Sequence, residues 1–280
     1  MSPLRFDEIG YWSEIKLEIV RDYAKEYSKI LSAQTNPSLH HVYIDGFSGP
    51  GIHLAKRTGE FIPGSPLNAL NIDPSFREFF LIDLDGDKIE HLRSLVGDRP
   101  HVFLYKGDCN EVLLNQVFPK VQWEQYKRGL CLLDPYGLHL NWEVIATAGA
   151  MRSIDLFLNF ATMDMNRNAL WRNPEEVNSD DISRMTSFWG DDSWQGAAYR
   201  EDEQFKLFGP PDLKKAPDYQ VAHAFRTRLK EEAGFKYVMD PLPMRNSKGA
   251  VVYYLFFASQ KNVAYEIVQH IFKKYSSGVR

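Results

Sequence analysis

The feature that most limits how this chain can fold is a regular alternation of short apolar runs with amphipathic segments. Five apolar runs predict buried strands, at residues 41–44, 79–82, 102–105, 130–133 and 154–160. Segments with apolar residues at helical spacing predict helices between them, at about residues 87–96, 110–118 and 142–150. Short buried strands separated by helices form a parallel sheet with helices on both faces.

The last part of the chain adds a different pattern. A helix is predicted at residues 218–233, followed by β-rich runs at 235–239 and 251–258 that a short connection joins. Two such runs pair antiparallel, and a last helix is expected at 264–275. The whole pattern predicts one α/β domain over residues 1–280, with a doubly wound, mostly parallel, seven-stranded Rossmann-like sheet whose last strand is antiparallel.

Two regions fall outside this alternation. Residues 1–38 predict an N-terminal helical extension, because their apolar residues recur at helical spacing. Residues 161–217 are polar and predict an insertion of short helices. The insertion either recognises the target or is a plain polar connection. Its tryptophans, Trp171, Trp189 and Trp194, are expected to form a small satellite core rather than platforms on which bases stack.

Composition excludes several classes of protein. The net charge is −4, so no overall positive field draws the chain onto a nucleic acid, and binding one would need a local site. No apolar run approaches the roughly 20 residues of a membrane-spanning helix. Two cysteines, Cys109 and Cys131, provide no disulfide framework, and no His or Cys spacing typical of a metal site occurs. We therefore expect a cytoplasmic protein with no membrane segment and no metal.

A glycine-rich loop, Asp45-Gly-Phe-Ser-Gly-Pro-Gly51, follows the first predicted strand. Open α/β sheets bind ligands beyond the carboxyl ends of their strands. Gly49 and Gly51 would let the backbone approach a ligand closely because they lack a Cβ. The spacing is not that of a phosphate-binding Walker loop. The loop is either a ligand-binding turn, with Asp45 and Phe47 as further contacts, or plain loop geometry.

Acidic residues stand at the ends of the next two strands. Asp83 ends the second strand, where a carboxylate typically accepts hydrogen bonds from ribose hydroxyls, and Asp85 is the alternative. Asp108 ends the third strand, where a carboxylate can accept from an adenine amine, and Cys109 follows it directly. Each acid alone is typical of a turn. Together they favour a nucleoside-containing ligand, with Cys109 either beside it or simply a small buried hydrophobe.

The fourth strand ends in Asp134-Pro-Tyr-Gly137. Asp followed by Pro starts turns, so one interpretation is purely structural. The other is chemical: the Asp134 carboxylate and the Pro135 carbonyl accept hydrogen bonds from an aromatic amine, while the Tyr136 ring stacks on the base. We favour the chemical interpretation because the tetrapeptide is predicted to lie at the switch point of the sheet, beside the glycine loop.

These ordered motifs resemble those of class I S-adenosylmethionine-dependent methyltransferases. The chain as a whole resembles the three-Cys-motif partner protein family. The stretches that carry this resemblance are Tyr43-Ile-Asp-Gly-Phe-Ser-Gly-Pro-Gly51, Gly64-Ser-Pro-Leu-Asn-Ala-Leu70, Leu132-Leu-Asp-Pro-Tyr-Gly137 and Phe188-Trp-Gly190. The resemblance implies a methyltransferase fold and a partner, a protein with a three-cysteine motif that is itself similar to radical enzymes.

Residues 43–145 are also similar to the adenine-N6 methyltransferases of large-subunit ribosomal RNA. That resemblance implies cofactor contacts by Ser65 and Asp83 and a catalytic role for Asp134. It also suggests that Lys16 could reach the cofactor carboxylate, although a solvated helix face is the expected place for this lysine. The second Pro of the ribosomal Asp-Pro-Pro-Tyr motif is absent here. Because tRNA guanine-N2 methyltransferases carry a similar Asp-Pro-aromatic-Gly, adenine and guanine both remain open.

The sequence therefore predicts an S-adenosylmethionine-dependent methyltransferase acting on an exocyclic amine of a nucleobase, with adenine N6 in nucleic acid favoured. The alternative is a cofactor-binding or non-catalytic partner subunit of a three-Cys-motif protein. Asn159, near the end of the fifth strand, and Arg167, beyond it, are predicted to contact the substrate. The predicted catalytic and cofactor-binding residues are Asp134, Pro135 and Tyr136, and Asp45, Phe47, Gly49, Gly51, Ser65, Asp83, Asp108 and Cys109, respectively.

Overall fold

A computed structural model describes residues 6–201 and 213–277. The strands are β1 Glu8–Ile9, β2 His40–Asp45, β3 Ile52–Ala55, β4 Phe61–Pro63, β5 Glu78–Asp83, β6 Val102–Lys106, β7 Lys127–Leu133, β8 Ile154–Phe160, β9 Tyr199–Glu201, β10 Leu213–Lys215, β11 Tyr237–Val238, β12 Leu242–Arg245 and β13 Val251–Ser259. The α-helices are α1 Tyr11–Ser32, α2 Ser65–Leu70, α3 Gly86–Val96, α4 Cys109–Val112, α5 Trp142–Met151, α6 Thr162–Asn168, α7 Ser179–Trp189, α8 Trp194–Ala198, α9 Asp218–Glu231 and α10 Asn262–Ser277.

The central sheet has the strand order β6-β5-β2-β7-β8-β13-β11, and β12 pairs with the same edge of β13 as β11 does. The first five strands in this order, β6, β5, β2, β7 and β8, are parallel to one another. Strand β13 is antiparallel to β8. Eight strands therefore fill seven positions. The predicted doubly wound, mostly parallel sheet with an antiparallel last strand is confirmed. Strand order reverses between β2 and β7, so the switch point lies where their carboxyl ends meet.

Alternate residues of each strand pack into two cores, one on each face of the sheet, as the period of two requires. In β2, Val42 and Ile44 belong to the core beneath α5 and α9, while Tyr43 belongs to the core beneath α1 and α10. Strand β8 is buried along its whole length. Burial on both faces explains why the strands read as continuous apolar runs in the sequence.

The insertion contributes to the main core rather than to a satellite core, so that expectation was wrong for two of its tryptophans. Trp189 and Trp194 are 1 % and 2 % exposed and lie in the same cluster as the sheet residues. The reason is that α7 is amphipathic and places Phe188 on Phe225 of α9, with ring centroids 5.4 Å apart. Trp171 instead is 38 % exposed. Residues 202–212 of the insertion lie outside the described residues.

The sequence analysis missed several short elements. Strand β12 occupies the segment expected to be a connection, and Pro243 is tolerated there because an edge strand needs no N–H on its outer side. Strands β1, β3 and β4 form a small separate sheet. Each has only two to four residues, which is too short for a recognisable period. Within the described ranges, no helix is long and apolar enough to cross a bilayer.

Candidate functional site

A cleft of about 460 Å³ opens at the carboxyl ends of β2, β7 and β8, at the switch point of the sheet. Its walls come from the segment around β1, from α1, from the glycine loop and from α6 and β13. Eight of the predicted site residues line it: Phe47, Gly49, Ser65, Asp134, Pro135, Tyr136, Asn159 and Arg167. Residues that are far apart in sequence thus meet where the fold class places a ligand.

Asp134 lines the cleft and comes immediately after β7. One carboxylate oxygen accepts a hydrogen bond from Nδ2 of Asn159 at 2.8 Å, and the other accepts from Nζ of Lys16. The Asp134 side chain is 27 % exposed, so it can still be reached from the cleft. A carboxylate offers about four acceptor positions. Asp134 therefore has capacity left for a hydrogen-bond donor on a ligand.

Lys16 is buried, which corrects the expectation that it lies on a solvated helix face. It occupies the inner face of α1 because it precedes the buried Val20 and Tyr23 at helical spacing. Its ammonium group also lies 5.2 Å from the ring centre of Tyr253. Although burial alone would lower the pKa of Lys16, the nearby charge of Asp134 holds it above its ordinary value. Lys16 is thus a charged residue inside the cleft.

The glycine loop turns sharply beside Asp134. Gly49 and Gly51 have φ angles of 62° and 88°, which favour glycine. A Cβ on Gly51 would lie 2.7 Å from Cδ1 of Leu92, so this glycine lets the loop pack closely on α3. A Cβ on Gly49 would meet only the His53 ring, at 3.8 Å. Gly49 therefore faces open space in the cleft, whereas Gly51 serves packing.

Asp45 lies beneath the loop at the end of β2 and is fully buried. Burial raises the pKa of its carboxyl to about 7, even though the hydroxyl of Ser65 and the N–H of Phe47 donate hydrogen bonds to it. Ser65 begins α2 and also lines the cleft. Asp45 thus supports the floor of the cleft through Ser65 and Phe47 rather than lining it.

Asp83 connects the end of β5 to the glycine loop. Its Oδ2 accepts from the N–H of Gly49 at 2.8 Å, and its Oδ1 accepts from the N–H of Asp85 at 2.9 Å. Asp83 is 8 % exposed, and each oxygen keeps a further acceptor position. The predicted alternative, Asp85, caps α3 by accepting from the N–H of Asp87. The structure therefore brings Asp83, but not Asp85, to the loop that borders the cleft.

Asp108 and Cys109 stand apart from the residues that line the cleft. Asp108 caps the short helix α4, where one carboxylate oxygen accepts from the N–H groups of Asn110 and Glu111 at 2.8 and 3.4 Å. Cys109 is 5 % exposed and lies in the core, and burial raises the pKa of its thiol. A Cβ on Gly46 would come within 3.1 Å of its Sγ. These contacts are those of a helix cap and of a small buried hydrophobe.

Tyr136 stands at the mouth of the cleft and is 67 % exposed. Its hydroxyl donates to Asp7 at 2.7 Å, and Nζ of Lys88 lies 5.1 Å from the ring centre. Lys88 also pairs with Asp7 at 2.8 Å. Burial would raise the pKa of Asp7, but the hydrogen bonds from Lys88 and Tyr136 hold it below its ordinary value. An aromatic ring is thus held at the entrance by two residues that the sequence analysis missed.

The far wall of the cleft consists of Asn159 and residues of α6. Oδ1 of Asp164 accepts from Nδ2 of Asn168 at 2.9 Å. A Cβ on Gly137 would lie only 2.6 Å from the other oxygen of Asp164, Oδ2, which explains a glycine at the fourth position of the tetrapeptide. Arg167 is exposed at the rim. No group of three His, Cys, Asp or Glu residues in the described ranges is arranged to hold a metal ion.

Comparisons with known proteins give only remote similarities. No protein family model matches, and no curated protein matches. The chain is similar to protein LPL1258 from Legionella pneumophila, with 12% identity, coverage of 93% of this chain and 91% of that one, and a TM-score of 0.48. It is also similar to a putative S-adenosylmethionine dependent methyltransferase from Listeria monocytogenes, with 11% identity, coverage of 86% and 99%, and a TM-score of 0.41.

A third similar structure is the fibrillarin of Aeropyrum pernix in complex with natively bound S-adenosyl-L-methionine. Here the identity is 10%, the coverage is 85% of this chain and 76% of that chain, and the TM-score is 0.33. All three TM-scores lie below 0.5, so the assignment of the fold rests on strand order and pairing.

Proposed function

We propose that this protein is an S-adenosylmethionine-dependent methyltransferase that acts on an exocyclic amine of a nucleobase. The observation that carries the proposal is the meeting of Asp134, Pro135 and Tyr136 with the glycine loop in one cleft at the switch point. This is where an open α/β sheet binds its ligand.

The residues present fit this cofactor. Gly49 leaves open space on the cleft side of the loop, and the buried Oγ of its neighbour Ser48 has no hydrogen-bond partner among the residues that the structure describes. Asp83 keeps acceptor positions suited to ribose hydroxyls, and the ammonium group of Lys16 suits a carboxylate. Gly49, Ser65, Asp83 and Lys16 would hold the cofactor. Asp45 would support them from below.

When bound, S-adenosylmethionine supplies a methyl group whose bond to the sulfonium sulfur breaks as a bond to the acceptor nitrogen forms, with the sulfur keeping the electron pair. The protein has to hold the acceptor amine in line. Asp134 and the Pro135 carbonyl accept hydrogen bonds from the amine, which orients its lone pair. Asp134 also accepts the proton that the nitrogen loses. Lys16 and Asn159 fix the carboxylate so that little reorganisation is required.

The exposed ring of Tyr136 provides a surface on which a base can stack at the entrance. A base within a duplex cannot reach Asp134, so the substrate is single-stranded or has its base flipped out of the helix. The family resemblance favours adenine N6 among the possible amines. Asp134, Pro135 and Tyr136 are the predicted catalytic residues, and Asn159 and Arg167 the predicted substrate contacts.

Calorimetric titration with S-adenosylmethionine tests the cofactor, and transfer of a labelled methyl group to total RNA and to denatured DNA tests the reaction. We expect micromolar binding and labelled nucleic acid. Asp134→Ala should lower transfer at least about 100-fold while the affinity for the cofactor stays within a few-fold, since the carboxylate serves the acceptor. The matched control is Asp98→Ala, at an exposed residue outside the cleft. Absence of cofactor binding would contradict the proposal.

A three-Cys-motif protein as partner is a further proposal that rests on the family resemblance. Co-expression with such a protein tests it. A stable complex that is needed for methyl transfer would support the partner. A complex that forms but is indifferent to Asp134→Ala would instead support the alternative of a non-catalytic subunit.

A further inference from the structure

Two side-chain oxygens in the cleft have no hydrogen-bond donor among the described residues. They are Oδ1 of Asn159 and Oδ2 of Asp164, and both atoms are buried. Leaving a buried acceptor unpaired costs free energy, and native structures rarely contain one without a reason. Two such atoms lining the same cleft as Asp134 indicate a ligand that donates hydrogen bonds there.

The chemistry of the neighbours fixes both groups as acceptors. Asn159 must point its NH₂ group at Asp134, because a carboxylate cannot donate, and this leaves the amide oxygen of Asn159 free. Asp164 already accepts from Asn168 through its other oxygen, Oδ1. The wall that faces the acceptor amine is therefore rich in hydrogen-bond acceptors.

The second of these acceptors, Oδ2 of Asp164, packs against the last residue of the tetrapeptide, Gly137. This oxygen is 2.6 Å from the position that a Cβ would take at residue 137, which is too close for any side chain there. The glycine at this position therefore allows the carboxylate to approach the turn that carries Asp134. Asp164 thus belongs to the same recognition surface as the proposed catalytic residues.

Such a surface distinguishes between bases. Guanine presents adjacent donors, the N1–H and the N2 amine, on its pairing edge. Adenine and cytosine instead present an amine beside a ring nitrogen that carries a lone pair, and this lone pair would face an acceptor. Uracil and thymine have no exocyclic amine. Flipped or single-stranded bases are read through this edge.

From this pattern we infer that the methyl acceptor is the N2 amine of guanine in a single-stranded nucleic acid, which revises the preference for adenine. The inference rests on the proposed function. The reaction forms a C–N bond at N2 and breaks the C–S bond of the cofactor, whose sulfur keeps the electron pair. One N2 proton passes to Asp134 and then to solvent. The other N2–H and the N1–H donate to the Pro135 carbonyl, Asn159 and Asp164, with one N–H shared between two of these acceptors.

Arginine side chains also present adjacent N–H donors, and the exposed Glu8 at the cleft would pair with one, but two other residues of the rim favour a nucleic acid. Arg167 is exposed there, and no ion pair of its guanidinium occurs within the described part of the chain. A cation at the entrance attracts a phosphate group, and the exposed ring of Tyr136 gives a base a surface on which to stack. A nucleic acid therefore fits this rim better than a basic peptide does.

A pool of single-stranded RNA of random sequence, incubated with S-adenosylmethionine carrying a deuterated methyl group, tests the inference. Digestion to nucleosides and mass spectrometry identify the labelled base, and we expect N2-methylguanosine. Label on adenine N6 or cytosine N4 would overturn the inference while the proposed function stands. Label on a polyarginine peptide but not on RNA would overturn it as well. No transfer to any of them, with the cofactor bound, would contradict both.

Variants localise the effect. Asp164→Asn replaces an acceptor by a group that also donates, so we expect guanine methylation to fall at least about tenfold in kcat/KM. The affinity for S-adenosylmethionine should stay unchanged, which also shows that the variant is folded. Asp180→Asn, at an exposed position on α7, is the matched control. Equal methylation by the wild type and Asp164→Asn would overturn the role of this carboxylate.

Discussion

The two ends of strand β8 carry polar side chains in opposite states. At the amino end, Asp155 is 9 % exposed, and both of its oxygens have a donor within the protein, the hydroxyls of Tyr23 at 2.6 Å and Ser259 at 2.5 Å. At the carboxyl end, Asn159 donates to Asp134, but its own amide oxygen, beside an open cleft, has no donor in the described part of the chain. Both residues are buried, and they are four positions apart on the same strand.

Within this one strand, we assign Asp155 a role in stability and Asn159 a role in ligand binding. A buried group whose hydrogen bonds are all made stabilises the fold and offers nothing to a ligand. A buried group with an unpaired atom in a cleft is costly unless a ligand pairs with it. Changes at the amino end should therefore alter stability and leave methyl transfer intact, and changes at the carboxyl end should do the reverse.

The largest expected effect is at the carboxyl end. Asn159→Ala should lower methyl transfer about 100-fold, because Asp134 loses the group that orients it and the substrate loses an acceptor. The free energy of unfolding, measured by urea denaturation, should change by less than about 1 kcal/mol, since the Asp134 side chain is 27 % exposed at the cleft and water can replace the lost donor. A variant that unfolds easily but transfers methyl groups normally would reverse the comparison.

At the amino end, Tyr23→Phe should lower the free energy of unfolding by about 1–3 kcal/mol, because the buried Asp155 loses one of its two donors. Methyl transfer by the folded variant should equal that of the wild type. Denaturation curves and initial rates on one preparation check both statements. A large loss of activity at full stability would show that this end of β8 also serves the site.

The pH dependence of stability sharpens the contrast. Burial raises the pKa of Asp155 to about 6 from 3.8, despite the donated hydroxyls. The folded state therefore holds this proton more tightly than the unfolded state does, and its contribution to stability falls as the pH rises through about 6. Between pH 5 and pH 8, the wild type should lose about 1–2 kcal/mol relative to Asp155→Asn. A difference that does not change with pH would contradict this account.

The smallest effect is expected at the entrance. Asp7→Asn keeps a hydrogen bond to Tyr136 but removes the charge that pairs with Lys88, so the ring should be held less firmly. We expect KM for the nucleic acid to rise about two- to threefold with kcat unchanged, which is the pattern of a loss in substrate binding. Steady-state kinetics check this. An equal fall in kcat would mean that Asp7 acts on the reaction itself.

Much of the fold could be predicted from the sequence because each sheet strand is buried on both faces and reads as an apolar run. The acids at strand ends were recognisable for the same reason, since Asp45, Asp83 and Asp134 each stand where an apolar run stops, at the carboxyl ends of the strands. Asp108 and Cys109 were chosen by the same rule; Asp108 caps α4 and Cys109 lies in the core, and their contact with the cofactor stays a prediction. Sequence position does not fix side-chain direction.

Other site residues carry only a weak signal or none. Lys16 lies at helical spacing from the buried apolar residues of α1, and that spacing could have predicted that its side chain faces the interior of the protein. Asp7 and Lys88 meet Tyr136 through tertiary contacts between segments that are far apart in sequence, so no local pattern identifies them. Asp164 could have been linked to Gly137 only through the position of α6, which the sequence does not determine.

The most direct test is a crystal structure with S-adenosylhomocysteine. We predict that the nucleoside lies in the cleft at the switch point, with its ribose hydroxyls on Asp83 and its sulfur facing Asp134. A second cavity, of about 300 Å³, borders Asp155 at the amino end of β8, opposite to the cleft. Binding there, or binding that leaves the cleft beside Asp134 empty, would contradict the account.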